Sequence, residues 1–267
     1  MRKSIIILLL SFLLITTRKS NFNKDNEITI FLSENNLTIE DVKPYLQFSN
    51  FQIENYFEID SLRRKYNYSY TKAVNKYKYQ NKIAPAIFSD SYLILVNKQF
   101  YVEKGYEPKN LVDPREYGVN VANDDILVPR EVLLAFIDMI TTLKLHNLYL
   151  FSGFRTYTKQ EALYNYYQDD NYSARPGHSE HHTGLALDIS TLDTGLTNFF
   201  ATTPEYNILI KNSYKFGFIL RYPLNKENET GYLYEPWHFR YVGKEHAEFI
   251  MKNRITLEHY LFENYEI

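Results

Sequence analysis

"SEHHTGLALDI" (residues 179–189) presses two histidines, a glycine and an aspartate into a stretch that otherwise reads as the start of a buried strand. The whole chain of 267 residues has only seven histidines. Gly184 permits a tight turn, and "LALDI" then alternates with the two-residue period of a strand. Leu185, Leu187 and Ile189 face one way; Ala186 and Asp188 face the other. A small residue beside a carboxylate leaves room on that face, while the opposite face suits a core. Burying Asp188 unpaired would cost roughly several kcal/mol, so it calls for a cation or a set of donors. His181, across the turn, reaches the same spot.

Fifty residues on, "EPWHFRYVG" (235–243) reads as a second strand, with Trp237, Phe239 and Tyr241 on one face and His238, Arg240 and Val242 on the other. A lone histidine on such a strand is usually structural. Here Glu235 precedes it by three residues, and the His181/Asp188 pair stands upstream. Two neutral imidazoles and a carboxylate are a common zinc set, and a fourth position left to water makes such a site catalytic. Glu235 is then the general base that takes the water proton and delivers it to a leaving amine. Strict alternation sets Glu235 on the Trp237 face, so Pro236 has to break the pleat for the two groups to converge. In "SGFRTYTKQ" (152–160), Gly153 after a strand end sets Arg155 at the rim of the sheet, where it is either a surface arginine in a turn or a fixed cation for charge that builds on a tetrahedral intermediate.

The elements around these motifs mix short strands and helices without βαβ repetition, which predicts an α+β fold. "YLILVN" (92–97), "LYLF" (148–151) and "FILRYP" (218–223) read as strands. "VPREVLLAFIDMITTLKL" is an amphipathic helix with Pro129 in its first turn. "TKQEALYNYY" and "PEYNILIKNSYKFG" are further helices, the latter stopped by Gly217. Earlier, after a polar linker around 18–26, "NLTIEDVKPYL" carries Thr38 as N-cap with Asp41 three residues on. "IDSLRRKYNYSYTKAVNKY" is a second helical pattern, and "NKIAPAIFSDS" a connector broken by Pro85. The chain thus divides into residues 1–20, a helical N-terminal extension with linker over 21–90, and a main domain over 91–267.

The formal net charge of −2 gives no basic surface for nucleic acid. Cysteine is absent, which excludes disulfides and thiolate metal sites. Tyrosine is frequent, at 25 residues, and offers stacking surfaces for sugars, although partly buried structure is its commoner use. "MRKSIIILLLSFLLITT" places Arg2 and Lys3 before an apolar run, the layout of an export signal. The run is shorter than the ~20 residues a transmembrane helix needs. The expected location is extracytoplasmic, with the segment either cleaved or kept as a membrane anchor.

Taken in order, "SGFRTYTKQEALY", "ARPGHSEHHTGLALDI", "YKFGFILRYP", "TGYLYEPWHFRYVG" and "ITLEHYL" resemble the VanY-type D-alanyl-D-alanine carboxypeptidases, part of the zinc superfamily that includes lysostaphin-like enzymes and the hedgehog domain. The resemblance covers roughly residues 93–267. It implies a small antiparallel sheet flanked by helices and one zinc ion per chain on His181, Asp188 and His238. It also implies Glu235 as catalytic base, Arg155 as oxyanion stabiliser, and Gln160 and Ser179 as helpers of Arg155 in holding the substrate's terminal carboxylate. The implied reaction removes the C-terminal D-Ala of a peptidoglycan stem peptide. His182 stands where relatives often carry Gln, and His178 is extra; both are expected to line the cleft or face solvent. The competing readings are an L,D-carboxypeptidase on tetrapeptide stems, a non-catalytic zinc module, and a non-haem iron oxygenase. The last two have no use for a base at Glu235.

Overall fold

Four strands, β1 (Tyr149–Ser152), β2 (Ala186–Ser190), β3 (Phe218–Leu220) and β4 (His238–Tyr241), form an antiparallel sheet in the order β1-β2-β4-β3. They belong to a computed structural model that describes residues 24–267 except Asn81, Asp90 and Asn171. The export segment expected over 1–20 lies outside the described residues. Among the described residues no helix is long and apolar enough to cross a membrane.

Every residue of β2 is buried, because the sheet is covered on both faces. Leu187 and Ile189 join Leu150, Phe218 and Phe239 in a core shared with Val132, Leu133, Phe136 and Met139. Those last four lie on α4 (Arg130–Thr142), whose apolar spacing selects that face. Each such side chain contributes about 1.5–3 kcal/mol on burial. Helices α5 (Tyr157–Tyr167), α6 (Pro204–Asn212), α7 (Lys244–Asn253) and α8 (Leu257–Asn264) also belong to this unit. The architecture is the α+β one read from the sequence, a small antiparallel sheet flanked by helices.

"YLILVN" departs from expectation and forms no strand. Leu93 to Val96 are buried, but only Leu95 makes a bridge, to Ile87. The Tyr92 and Ile94 carbonyls instead accept hydrogen bonds from the Arg240 guanidinium at 2.9 and 2.7 Å, which replaces a ladder partner. The chain separates into two compact units, one through Gln80 and one from Asn81 through Tyr265. The connector 81–90 therefore goes with the second unit, and Ala84–Pro85 pairs in parallel with Phe100–Tyr101.

Among the described residues, the first unit has helices and no strand. Residues 24–34 are helix, part of them within the segment read as linker. Helix α1 (Ile39–Leu46) starts at Thr38, whose N–H and hydroxyl both donate to Asp41 at 2.8 Å, the capping box expected there. The single helix expected over 59–77 is two, α2 (Tyr56–Tyr66) and α3 (Tyr70–Tyr79). Asn67 turns left-handed at φ 52° and ends α2, and the Ser69 hydroxyl accepts from the Lys72 N–H to start α3. Val42, Tyr45, Phe51, Tyr56, Ile59 and Val74 form a core of this unit's own.

Candidate metal centre

Sheet register brings the site together. Asp188 on β2 stands opposite His238 on β4 and Ser152 on β1, so the carboxylate and the imidazole share one face as cross-strand neighbours. His181 arrives from a one-turn 3-10 helix, Glu180–Thr183, which ends at Gly184 with φ +69°. A Cβ there would sit 2.7 Å from Pro129 Cγ, so only glycine fits the turn. His181 Nε2 lies 3.2 Å from Asp188 Oδ2, and His238 Nδ1 lies 3.1 Å from Asp188 Oδ1. One ligand atom from each of the three residues falls within 4.8 Å of the others, and all three side chains are buried.

The donor set fits a divalent cation. His181 Nδ1–H donates to the Gly153 carbonyl at 2.8 Å, which leaves the Nε2 lone pair facing Asp188. Asp188 Oδ1 is buried without a hydrogen-bond partner, although His238 is close by. Burial alone would raise the Asp188 pKa, but His181 and His238 outweigh it and hold the carboxyl well below its usual range. Burial likewise opposes protonation of His238, yet Asp188, Glu180 and Glu235 overcome it and push the ring well above its ordinary value. His181 moves the other way: burial keeps it neutral against the pull of Asp188. The surroundings of His238 thus favour positive charge there, a preference that a bound divalent cation would also meet.

Glu235 and His238 are the first and last residues of a turn, closed by the His238 N–H donating to the Glu235 carbonyl at 3.2 Å. Strand β4 begins only at His238, so the alternation expected from residue 235 does not apply. Pro236 supplies the fixed φ of the turn. The turn carries Glu235 Oε2 to 3.3 Å from His238 Nδ1, and Glu235 remains a quarter exposed. A cavity of about 410 Å³ opens beside the cluster, lined by Asp188, Arg155, Phe151, Leu163, Asn123 and Leu196 among others. The half-buried Arg155 is held by Gln160 Oε1 and the Ser152 hydroxyl, each at 2.9 Å. Burial pulls its pKa down, partly offset by Asp188 and Glu235.

A family model described as D-alanyl-D-alanine carboxypeptidase, VanY, matches residues 126–244. The putative carboxypeptidase YodJ of Bacillus subtilis (strain 168) is 39% identical over 187 residues, 64% of this chain and 67% of YodJ. The bifunctional D-Ala-D-Ala dipeptidase and carboxypeptidase VanXYC of Enterococcus gallinarum is 33% identical over 63% of this chain and 92% of its own length. The chain belongs to the VanY family of D-alanyl-D-alanine carboxypeptidases. Among solved structures, the LdcB LD-carboxypeptidase aligns with a TM-score of 0.62 at 36% identity, covering 67% of this chain and 89% of LdcB. A VanY D,D-pentapeptidase in complex with Zn(II) aligns at 0.50 and 32% identity, over 63% and 98% of the two chains.

In this VanY-family chain the remaining candidates surround the cluster. Gln160 is buried behind Arg155, and its Nε2 donates to Ser173 Oγ at 3.0 Å and the Ala174 carbonyl at 2.7 Å. Ser179 is buried and precedes the His181 turn, where its carbonyl accepts from the His182 N–H. His182 and His178 do not face solvent. His182 Nδ1–H donates to the Arg155 carbonyl at 2.7 Å while Nε2 accepts from the Gly177 N–H at 3.0 Å. Burial lowers its pKa to about 4. His178 is tied to the Asn97 carbonyl at 2.7 Å. Both are buried struts.

Sequence reading missed a buried ion network behind His238. Arg221 and Arg240, with no exposed surface, both donate to Glu180 Oε1, at 2.7 and 2.6 Å. Arg221 also grips Glu258 through two bonds of 2.8 and 2.6 Å. The available signal was an arginine at the same place in two apolar strands, "FILRYP" and "WHFRYV", with a carboxylate next to His181.

Proposed function

We propose that the protein is a zinc-dependent D,D-carboxypeptidase that hydrolyses the C-terminal D-Ala from peptidoglycan stem peptides on the outer side of the cytoplasmic membrane. The observation that carries this reading is the convergence of buried His181, Asp188 and His238 with Glu235 Oε2 3.3 Å from His238, at the edge of an open cavity. These three residues would hold one zinc ion per chain. When bound there, zinc supplies a Lewis acid that brings the pKa of water to about 7. Glu235 accepts the proton of the attacking water and returns it to the leaving D-alanine amine. Arg155, steadied by Gln160 and Ser152, offers a fixed positive charge to the tetrahedral oxyanion and to the peptide's terminal carboxylate. Ser179 contributes to that carboxylate site. The apolar run behind Arg2 and Lys3 supports export, as a cleaved signal or a membrane anchor. The helical residues up to Gln80 are an appendage to the catalytic domain.

The likeness to LdcB favours a second reading, removal of D-Ala from tetrapeptide stems. Incubation with pentapeptide and tetrapeptide muropeptides, followed by mass spectrometry with and without chelator, tests both. The expected result is loss of one alanine from the pentapeptide, abolished by chelator. Trimming of the tetrapeptide alone assigns the L,D activity, and unchanged masses in both arms overturn the hydrolase reading.

A further inference from the structure

Two buried polar atoms without hydrogen-bond partners face each other behind the metal cluster: Glu180 Oε2 and His238 Nε2, 3.6 Å apart. That gap exceeds a normal N–H···O hydrogen bond by only ~0.5 Å. Glu180 is 1% exposed and its other oxygen is saturated by Arg221 and Arg240. Those arginines are themselves anchored. Arg240 donates to the Tyr92 and Ile94 carbonyls, and Arg221 to Glu258, which also accepts from Asn97 Nδ2 at 3.0 Å. The Glu180 carboxylate therefore cannot turn away from His238 without breaking buried ion pairs.

We infer that Glu180 is a positioning residue for His238: its free oxygen fixes the proton on Nε2, and so leaves the Nδ1 lone pair aimed at the space shared with Asp188. An imidazole can ligate through only one nitrogen, and the partner of the other nitrogen decides which. His181 is set in the same way by the Gly153 carbonyl, through the opposite nitrogen. The two histidines thus need opposite tautomers, and the fold provides a separate acceptor for each. This inference rests on the zinc reading of the site.

The test uses the purified full-length protein, with zinc affinity measured by competition against a chromophoric chelator and metal-free melting measured in parallel. Glu258→Gln removes a charge from the same buried network without touching His238. Glu180→Gln and Glu180→Asp weaken the carboxylate behind the ring or draw it back from the ring. Both classes are expected to melt earlier, but only the Glu180 variants to lose zinc affinity, by about 10–100-fold. Equal zinc loss in Glu258→Gln and Glu180→Gln, or wild-type affinity in the Glu180 variants, overturns the inference. Wild-type protein that takes up no zinc overturns the site reading and the inference with it. Should the variants fail to fold, nitrogen NMR of zinc-loaded wild type decides: His238 protonated on Nε2 supports the assignment, and protonation on Nδ1 ends it.

Discussion

Glu235 and His238 stand 3.3 Å apart, yet their removal is expected to have different consequences, because only His238 belongs to the buried cluster proposed to hold the metal. Glu235→Ala is expected to keep zinc and lose turnover by about 10²–10⁴-fold, the usual worth of a general base. His238→Ala is expected to lose both. A metal assay run beside the muropeptide assay checks the pair, and a Glu235 variant as active as wild type removes that residue from its role. His182 yields a prediction on pH. Its folded pKa of about 4 lies below the ordinary 6.5, so between those values the unfolded chain binds more protons. The neutral buried ring therefore costs nothing above pH 6.5, and stability falls as pH drops from 6.5 toward 4, by on the order of 3 kcal/mol. His182→Gln removes that titration while offering a donor and an acceptor to the Arg155 carbonyl and the Gly177 N–H. Its unfolding free energy should fall less steeply than the wild type's over the same range; parallel curves would assign the slope to other groups.

At the scale of elements, the turn before β2 decides whether His181 reaches Asp188. Gly184 holds a left-handed φ and lies against the Pro129 ring, so Gly184→Ala combines backbone strain of about 1–3 kcal/mol with a steric clash. Thermal unfolding with and without zinc should show a lower melting point and a smaller zinc-induced rise. A variant that melts and responds like wild type would mean that the turn relaxes without moving His181. This turn and strand were legible in the sequence because their chemistry is local: a glycine, a two-residue alternation and a carboxylate on the wrong face for a core. Helix α4 was legible for the same reason, through its 3.6-residue apolar period. The strand read in "YLILVN" failed because the partner of its carbonyls is a guanidinium on β4, nearly 150 residues away. Glu180 was passed over because its meaning comes from Arg221, just after β3, and Arg240, on β4, which nothing local links to it. The Glu235 turn fell between these cases. Pro236 marked the break, but the pattern alone could not say that β4 starts at His238.

At the scale of the molecule, each unit carries its own hydrophobic core. Tyr45, Phe51, Tyr56 and Ile59 serve the first, and Val132, Phe136, Leu187 and Phe239 serve the second. All the residues proposed to hold metal or substrate, and the whole buried ion network behind them, lie in the second unit. A chain cut to residues 81–267 keeps the sheet, its covering helices and all three residues proposed to hold the metal. A segment of this length buries enough surface to fold alone, since domains of 100–200 residues ordinarily do. It should bind one equivalent of zinc and hydrolyse soluble muropeptides with a kcat/KM close to that of the full chain. Metal titration and the mass-spectrometric assay measure the two quantities side by side. Retained zinc with lost turnover would show that the helical unit contributes to the substrate site, whereas loss of both would show that the second unit depends on the first for its fold. If soluble substrate is cleaved normally, comparing the two chains on intact cell wall isolates whatever the helical unit adds. Arg63, Arg64 and Lys65 at the end of α2, beside the exposed Tyr66, are the residues to change first.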